Sequence, residues 1–160
     1  MRNRNEIPAE LKWDFTHIFK TKEDWEKAYS EVESEISALS ALKGTLGESA
    51  DSLAKAYDTL FGFYEKFEPV ADYAFLKKTI DGGDSEAQAM GDRVNMLAVK
   101  ASSAAAFFDP ELMEIPEEKL AEFMKSDKMK KYAHIVEDAT RLRAHVLDEK
   151  SEGILAMMGK

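Results

Sequence analysis

Histidines are the residues of this chain best suited to acid–base or metal chemistry, and there are three: His17, His134 and His145. A hydrolytic zinc site needs several His or carboxylate ligands on one face, typically two His four residues apart with a Glu between them. No pair of these histidines has that spacing. His17 lies three residues after Asp14, before the first helix begins. Glu137 lies three residues after His134, which reverses the Glu-x-x-His order of di-iron sites. The sequence therefore predicts no metal ligand in this chain.

Patterns for a nucleophile or a bound phosphate are also missing. No Gly-x-Ser-x-Gly turn presents a serine, and the chain has no cysteine. Gly44 and Gly47 lack the Lys-Ser/Thr sequel of a phosphate-binding loop. Asp and Glu total 31, so a pair of carboxylates could be imagined anywhere and carries no information. We expect no catalytic residue and no cofactor-binding residue here.

Composition describes an ordinary water-soluble protein of one domain, or two small ones. The 160 residues are 44% hydrophobic and 33% charged, with a net charge of −9. That charge repels nucleic acid, and the clusters Lys77-Lys78 and Lys128 to Lys131 are interpreted as solvated helix faces. No apolar run reaches the ~20 residues that span a bilayer, and no apolar stretch follows the basic N-terminus as in a signal peptide. We expect a cytoplasmic protein without nucleic-acid or membrane partners.

Apolar residues recur every three or four positions after Thr21, and no segment alternates with a period of two. The fold class predicted is all-α, an arrangement of antiparallel helical hairpins. We divide the chain into a non-helical arm, residues 1–20, and a helical domain, residues 21–160. Thr21 and Asp24 resemble a capping box at the start of the first helix, and Gly44 and Gly47 end it.

Further signals delimit the later helices. A second helix begins near Ser49, is kinked or broken at Pro69, and ends before the turn Asp81-Gly82-Gly83-Asp84. A third begins with the box-like pair Ser85 and Gln88 and runs to about Phe108. Asp109-Pro110 is a cap-then-Pro pair that is predicted to begin a short turn. Helices are predicted from Pro116 to about Lys125 and from about Met129 to Leu142, and Asp148 is predicted to cap a last helix.

Aromatic residues pose two questions. The second helix carries a run of them that suits either a core or a groove for a cofactor or peptide, and we favour the core. Its members are Tyr57, Phe61, Tyr64, Phe67, Tyr73 and Phe75. The arm carries four apolar side chains that would anchor it on the helices, each contributing about 1.5–3 kcal/mol if fully buried. These are Trp13, Phe15, Ile18 and Phe19.

Five segments, in order, resemble the N-terminal domain of oligoendopeptidase F, in the thimet-oligopeptidase-like group of zinc metallopeptidases. The first is the arm Trp13-Asp14-Phe15-Thr16, similar to the family's Trp-Asp-Leu-Thr. The second is the turn with Lys43-Gly44 and Leu46. The others are Tyr73-Ala74-Phe75-Leu76, Phe107 to Leu112 with Ile115 to Leu120, and Tyr132, His134, Arg141, His145 and Leu147, with Ala144 where Pro is common.

The resemblance implies a role within a larger enzyme. The family's zinc site is a His-Glu-x-x-His helix with a further Glu, to which no residue of this chain corresponds. The resemblance therefore implies zinc for a longer parent, none in this chain, and no activity of this chain alone. It also implies that these helices wall a channel that admits short peptides, with the parent's own catalytic domain and an oligopeptide substrate as partners.

Two alternatives remain open. The chain could instead be a self-contained helical module that holds a partner helix or peptide, and a downstream His-Glu-x-x-His in the parent gene would decide against this. Gly153 to Met158 is apolar on nearly every side, so an exposed apolar surface and a homodimer are expected. Arg141, Arg143 and His145 are interpreted as favourable charges near a helix C-terminus rather than as a site.

Overall fold

Six α-helices account for most of this computed structural model, which describes residues 7–141. No β-strand occurs in that part of the chain, and the predicted all-α class is confirmed. The helix proposed after Asp148 lies outside the described residues. The helices are α1 (Lys22–Ser40), α2 (Ala50–Ile80), α3 (Ser85–Ala105), α4 (Phe108–Glu114), α5 (Glu117–Phe123) and α6 (Ala133–Arg141).

The arm before α1 contains two 3-10 turns, Ala9–Leu11 and Phe15–His17, and no α-helix in its described part. Asp14 fixes the second turn. Its Oδ1 accepts hydrogen bonds from the backbone N–H of Thr16 at 2.9 Å and from the Thr16 hydroxyl at 2.7 Å. A short side-chain acceptor at this position satisfies a donor that the turn leaves free, which explains the local Asp-x-Thr pattern.

Two of the four expected anchors hold the arm against α2. The rings of Phe15 and Phe19 lie edge-on to Tyr73, with centroids 5.7 and 5.4 Å away. Trp13 does not anchor anything, because 71% of its surface is exposed. The prediction for Trp13 is wrong because the Asp14-capped turn brings Phe15, rather than Trp13, to the Tyr73 ring.

The signals at the start of the first two helices act as predicted. Thr21 and Asp24 cap α1 reciprocally: each backbone N–H donates to the other's side-chain oxygen at 3.1 Å. Gly44, in the turn after α1, has a φ of +85°, a conformation that costs glycine little. The Ser49 hydroxyl accepts from the backbone N–H of Ser52 at 3.0 Å and so caps α2.

The second helix does not break at Pro69; α2 runs unbroken from Ala50 to Ile80. A proline removes one helical hydrogen bond, here the one to the carbonyl of Glu65. Both Glu65 and Pro69 are exposed, so water can satisfy that carbonyl. Val70 and Tyr73 are buried directly beyond the proline, and their packing holds the next turn in place.

Some predicted boundaries of α3 and α4 are shifted. The N-cap of α3 is Asp84 rather than Ser85: its Oδ1 accepts from the backbone N–H groups of Glu86 at 2.9 Å and Ala87 at 3.1 Å. A carboxylate satisfies two donors at once at the positive end of the helix. α3 ends at Ala105, and α4 begins at Phe108, so Asp109 lies in its first turn instead of capping it.

The last two α-helices agree more closely with the sequence. α5 follows Pro116 directly, as the proline predicts, although it ends two residues earlier than expected. The segment predicted to start a helix at Met129 forms a 3-10 turn at Lys130–Tyr132, and α6 follows from Ala133.

The chain forms two compact units. The first comprises the residues up to Ser37 with Phe61–Ser103, and the second comprises Ala38–Leu60 with the residues from Ala104 onward. Trp25, Val70, Val94 and Leu97 are fully buried within the first unit. The second unit has its own apolar cluster. Its buried members are Leu42, Leu46, Leu53, Ala54, Ala56, Tyr57, Phe108, Leu112, Ile115, Leu120, Phe123, Met129, Tyr132 and Val136.

Within residues 7–141, no helix combines the length and apolar character needed to cross a bilayer.

Candidate functional site

The histidines that could do chemistry are not brought together. His17 Nε2 lies 3.7 Å from Asp14 Oδ2, and His134 Nε2 lies 3.5 Å from Asp138 Oδ2, both near the surface. Among the described residues, no group of three or more His, Asp and Glu side chains could hold a metal ion. His145 lies outside that part of the chain. The residues that the structure describes therefore do not fit a zinc site, which needs at least three protein ligands.

The most elaborate polar contact of the first unit centres on Arg93, a residue that the sequence patterns did not single out. Its guanidinium lies 4.3 Å from the ring centroid of Tyr29 and 5.0 Å from that of Trp25. Two nitrogens donate to the two carboxylate oxygens of Glu26 at 2.7 and 2.8 Å. These hydrogen bonds lower the pKa of Glu26 and raise that of Arg93.

This arrangement is structural rather than catalytic. Trp25 is fully buried, and its indole N–H donates to the backbone carbonyl of Val70 at 2.8 Å. Arg93 covers that indole and is itself held by Glu26. Every polar group of the set has a partner, so none is left to act on a substrate.

In the second unit, Glu111 joins two segments that are far apart in sequence. One carboxylate oxygen accepts from the backbone N–H of Gly44 at 2.7 Å, and the other accepts from that of Leu46 at 2.8 Å. The turn after α1 thus wraps around the side chain of an α4 residue. This contact links the turn with Lys43-Gly44 and Leu46 to the segment Phe107 to Leu112, and it gives Glu111 a structural role.

The second unit also contains a group of packed aromatic rings. The Tyr57 ring lies 4.9 Å from Phe108 and is stacked 4.8 Å from Tyr132. Burial, and secondarily the charge of Asp109, raises the pKa of the Tyr57 hydroxyl to about 12. A phenol with so high a pKa stays protonated at neutral pH and is a poor general base.

Asp58 binds the polar end of the Tyr132 side chain. Its carboxylate accepts hydrogen bonds from the Tyr132 hydroxyl and from the Lys131 ammonium. Hydrogen bonds from Lys131 and then from Tyr132 lower the pKa of Asp58. Lys131, predicted to belong to a solvated cluster, is therefore an ion-pair partner.

Each unit has an open cleft within the described residues, and the side chains that line these two clefts do not form a catalytic set. One cleft, of about 660 Å³, lies in the second unit between the turn after α1 and the α4–α5 connection. Lys43, Phe107, Glu114 and Lys119 are among the residues that line it. A cleft of about 240 Å³ in the first unit is lined by Phe19, Val32 and Pro69, among others.

The outer face of α2 is the surface where the structure departs most from the sequence interpretation. Tyr57 and Tyr73 are buried as predicted, but Phe61, Tyr64 and Phe75 are 40, 38 and 38% exposed. The helical repeat explains the difference, because these three side chains fall within one arc of about 100° with three carboxylates. The α2 stripe is defined as Phe61, Tyr64, Glu65, Glu68, Asp72 and Phe75.

Comparison with known proteins identifies the relatives of this fold. Residues 111–160 match the family described as Oligopeptidase F. Over 155 residues, 96% of the chain, it is 36% identical to Oligopeptidase PepF of Bacillus subtilis (strain 168). Over 161 residues, 99% of the chain, it is 32% identical to the plasmid Oligoendopeptidase F of Lactococcus lactis subsp. cremoris. Almost the whole chain is homologous to oligoendopeptidase F. It corresponds to the family's N-terminal domain and spans about a quarter of these relatives, 23 and 27% of their length.

Solved structures agree with the family assignment. The crystal structure of oligoendopeptidase-F from Enterococcus faecium superimposes with a TM-score of 0.71 at 28% identity, over 87% of this chain and 28% of that one. A putative peptidase from Chlamydophila abortus shares the fold, with a TM-score of 0.81 at 22% identity. It covers 98% of this chain and 27% of that structure.

Proposed function

We propose that this chain is the N-terminal domain of a cytoplasmic zinc metallopeptidase that cleaves short peptides. The observation that carries the proposal is the alignment of almost the whole chain with about a quarter of two proteins named as oligopeptidases. In this proposal the domain does not cleave peptides itself. It shapes the access of peptides to a catalytic centre in the rest of a longer polypeptide.

Zinc and its ligands have no place in the part of the chain that the structure describes, since no three suitable side chains converge there. We therefore assign the metal to the remainder of the longer polypeptide and no chemical step to this domain. His17 and His134 lie near the surface beside single carboxylates, which is a poor starting point for a metal site.

The physical task of the domain is size selection. Helices whose inner faces are packed around residues such as Trp25 and Leu53 are rigid on the scale of a side chain. A wall of this kind admits an unfolded peptide and excludes a folded protein by steric contact alone. The net charge of −9 adds an attraction for basic peptides, which weakens as salt increases.

A direct experiment reads the gene beyond the codon for Lys160 and expresses the longer product. We expect a His-Glu-x-x-His sequence in the extension, bound zinc, and cleavage of an internally quenched peptide. Replacing the first His of that sequence by Ala should abolish cleavage. An extension without such a sequence, or cleavage that survives the substitution, would overturn the proposal.

A second function is favoured by the exposed aromatics of α2. Half-exposed rings such as Tyr64 and Phe75 suit a self-contained module that holds a peptide without cleaving it. The same experiment separates the two functions, because a binding module has no catalytic extension.

A further inference from the structure

The α2 stripe combines two chemistries on one exposed helix face. We propose that it binds an extended peptide whose contacting face carries Lys or Arg side chains in the middle and apolar side chains at both ends. The inference deepens the proposed function and rests on it for the identity of the peptide as a substrate: it names the surface that meets the peptide and the class of peptide preferred.

The negative charge of the stripe favours a cationic ligand. Glu65, Glu68 and Asp72 are exposed, and none forms an ion pair with another residue of the described part of the chain. Elsewhere in the same unit the pattern is different. There, three acidic side chains on α1 have basic partners: Glu26 pairs with Arg93, Glu33 with Lys100, and Glu35 with Lys66. The stripe therefore presents three carboxylates whose charge is available to a cationic ligand.

The exposed aromatic side chains favour a ligand with apolar and basic groups. Tyr64 and Phe75 each expose 38% of their surface beside those carboxylates, at opposite ends of the stripe. Exposed rings of this size bury apolar side chains, and their faces also attract ammonium and guanidinium groups. A peptide that carries both basic and apolar residues satisfies both kinds of contact, whereas a purely acidic or purely polar peptide satisfies neither.

The length of the stripe fits a short peptide. From Phe61 to Phe75 is 14 helical steps, about 21 Å at the usual rise. An extended chain covers that distance with about six or seven residues. The carboxylates at positions 65, 68 and 72 are spaced by about one helical turn, so successive basic side chains on one side of an extended peptide can reach them in order.

The test uses the 160-residue chain and fluorescence anisotropy. The probe is a fluorescein-labelled peptide of about seven residues with Leu at both ends, Arg at the third and fifth positions and Ser elsewhere, and the reference peptide has Glu in place of Arg. The stripe variant is Glu65→Gln, Glu68→Gln and Asp72→Asn. Its matched control removes three exposed charges elsewhere, by Glu48→Gln, Glu114→Gln and Glu137→Gln. Far-ultraviolet circular dichroism checks that both variants fold.

We expect saturable binding of the basic peptide at low ionic strength and none of the acidic one. The stripe variant should weaken binding by about five- to tenfold, since each exposed charge pair contributes modestly, and added salt should reduce the difference. The control variant should bind like the parent chain. Tyr64→Ala should weaken binding as well, and Tyr64→Phe, which keeps the ring, should not.

Three results would overturn the inference. They are no binding by the parent chain, an equal loss in the stripe and control variants, or a loss confined to a surface outside α2. If the parent chain binds nothing, the stripe is the place where the rest of a longer polypeptide packs. None of these results bears on peptide cleavage by the longer gene product, so the proposed function succeeds or fails separately.

Discussion

At the scale of single residues, Glu111 shows how a side chain can matter without taking part in chemistry. In the sequence, Glu111 belongs to the segment Phe107 to Leu112, and Gly44 belongs to a separate turn. The structure joins them, because the carboxylate accepts from two backbone N–H groups of that turn. A partner 67 positions away leaves no trace in local periodicity, so this contact could not be predicted from the sequence.

Glu111→Gln is expected to destabilise the fold. The amide keeps one acceptor oxygen but directs its own N–H₂ at a second donor, leaving the backbone N–H of Gly44 or Leu46 unpaired, at a cost of about 1–3 kcal/mol. The free energy of unfolding in urea measures the effect, and Glu114→Gln on the exposed side of α4 is the control. Equal stability of the two variants would show that the turn does not depend on Glu111.

The raised pKa of the Tyr57 hydroxyl predicts how the free energy of unfolding depends on pH in the alkaline range. Its hydroxyl titrates at about 12 in the folded chain, against an ordinary value of 10.0. The folded state therefore holds this proton more tightly than the unfolded state does. The resulting stability is fully present below pH 10 and is lost as pH rises towards about 12.

The Tyr57→Phe substitution isolates that contribution. Two units of pKa correspond to a loss on the order of 2–3 kcal/mol across the range, and the Phe variant should lack this part of the loss. Urea unfolding at neutral pH and near the upper end of the range provides the comparison. Parallel alkaline losses in the two proteins would contradict the assignment to Tyr57.

At the scale of elements, α2 continues through Pro69, and this continuity is open to a test. Pro69→Ala restores one backbone hydrogen bond and removes a steric conflict worth about 3 kcal/mol in a helix interior. The alanine also gives the unfolded chain more conformational freedom, which reduces the gain in stability by about 0.4–1 kcal/mol. We expect a net gain of about 2–2.6 kcal/mol in the free energy of unfolding. Pro116→Ala, before the first turn of α5, should gain much less, and a destabilised Pro69→Ala variant would mean that the fold requires the proline.

Helix content was predictable because capping residues act locally. The Thr21 and Asp24 box and the Ser49 cap appear as their spacing indicates. Which face of α2 is buried was harder to predict, since aromatics occur all round it. Phe63 is 2% exposed, whereas Phe61 is 40% exposed, and only the neighbours in the fold decide between them. The prediction that Trp13 anchors the arm was wrong for the same reason: the sequence does not show which large apolar side chains the fold will bury.

At the scale of the whole molecule, apolar surface remains uncovered. Met96 and Val99 lie one turn apart on α3 and are 62 and 66% exposed. The apolar sequence Gly153 to Met158 lies outside the described residues, and the expectation of a homodimer remains a proposal. Exposed surface of this kind promotes association.

Light scattering tests the dimer over a range of protein concentrations. We expect the 160-residue chain to associate, and a variant without Ile154–Lys160 to associate less. A variant with Met96→Gln and Val99→Thr shows whether the exposed face of α3 contributes to this association. A chain that stays monomeric at every concentration would contradict the proposal.

We propose that this domain controls access to a catalytic centre that it does not contain. Peptidase assays on two proteins, the 160-residue chain and the longer gene product, test this proposal. Each is given an internally quenched short peptide, a folded protein, and the same protein unfolded and cut into fragments. We predict no cleavage by the chain alone, and cleavage of the peptide and the fragments, but not of the folded protein, by the longer product. Cleavage by the chain alone, or equal cleavage of folded protein and fragments by the longer product, would contradict the account.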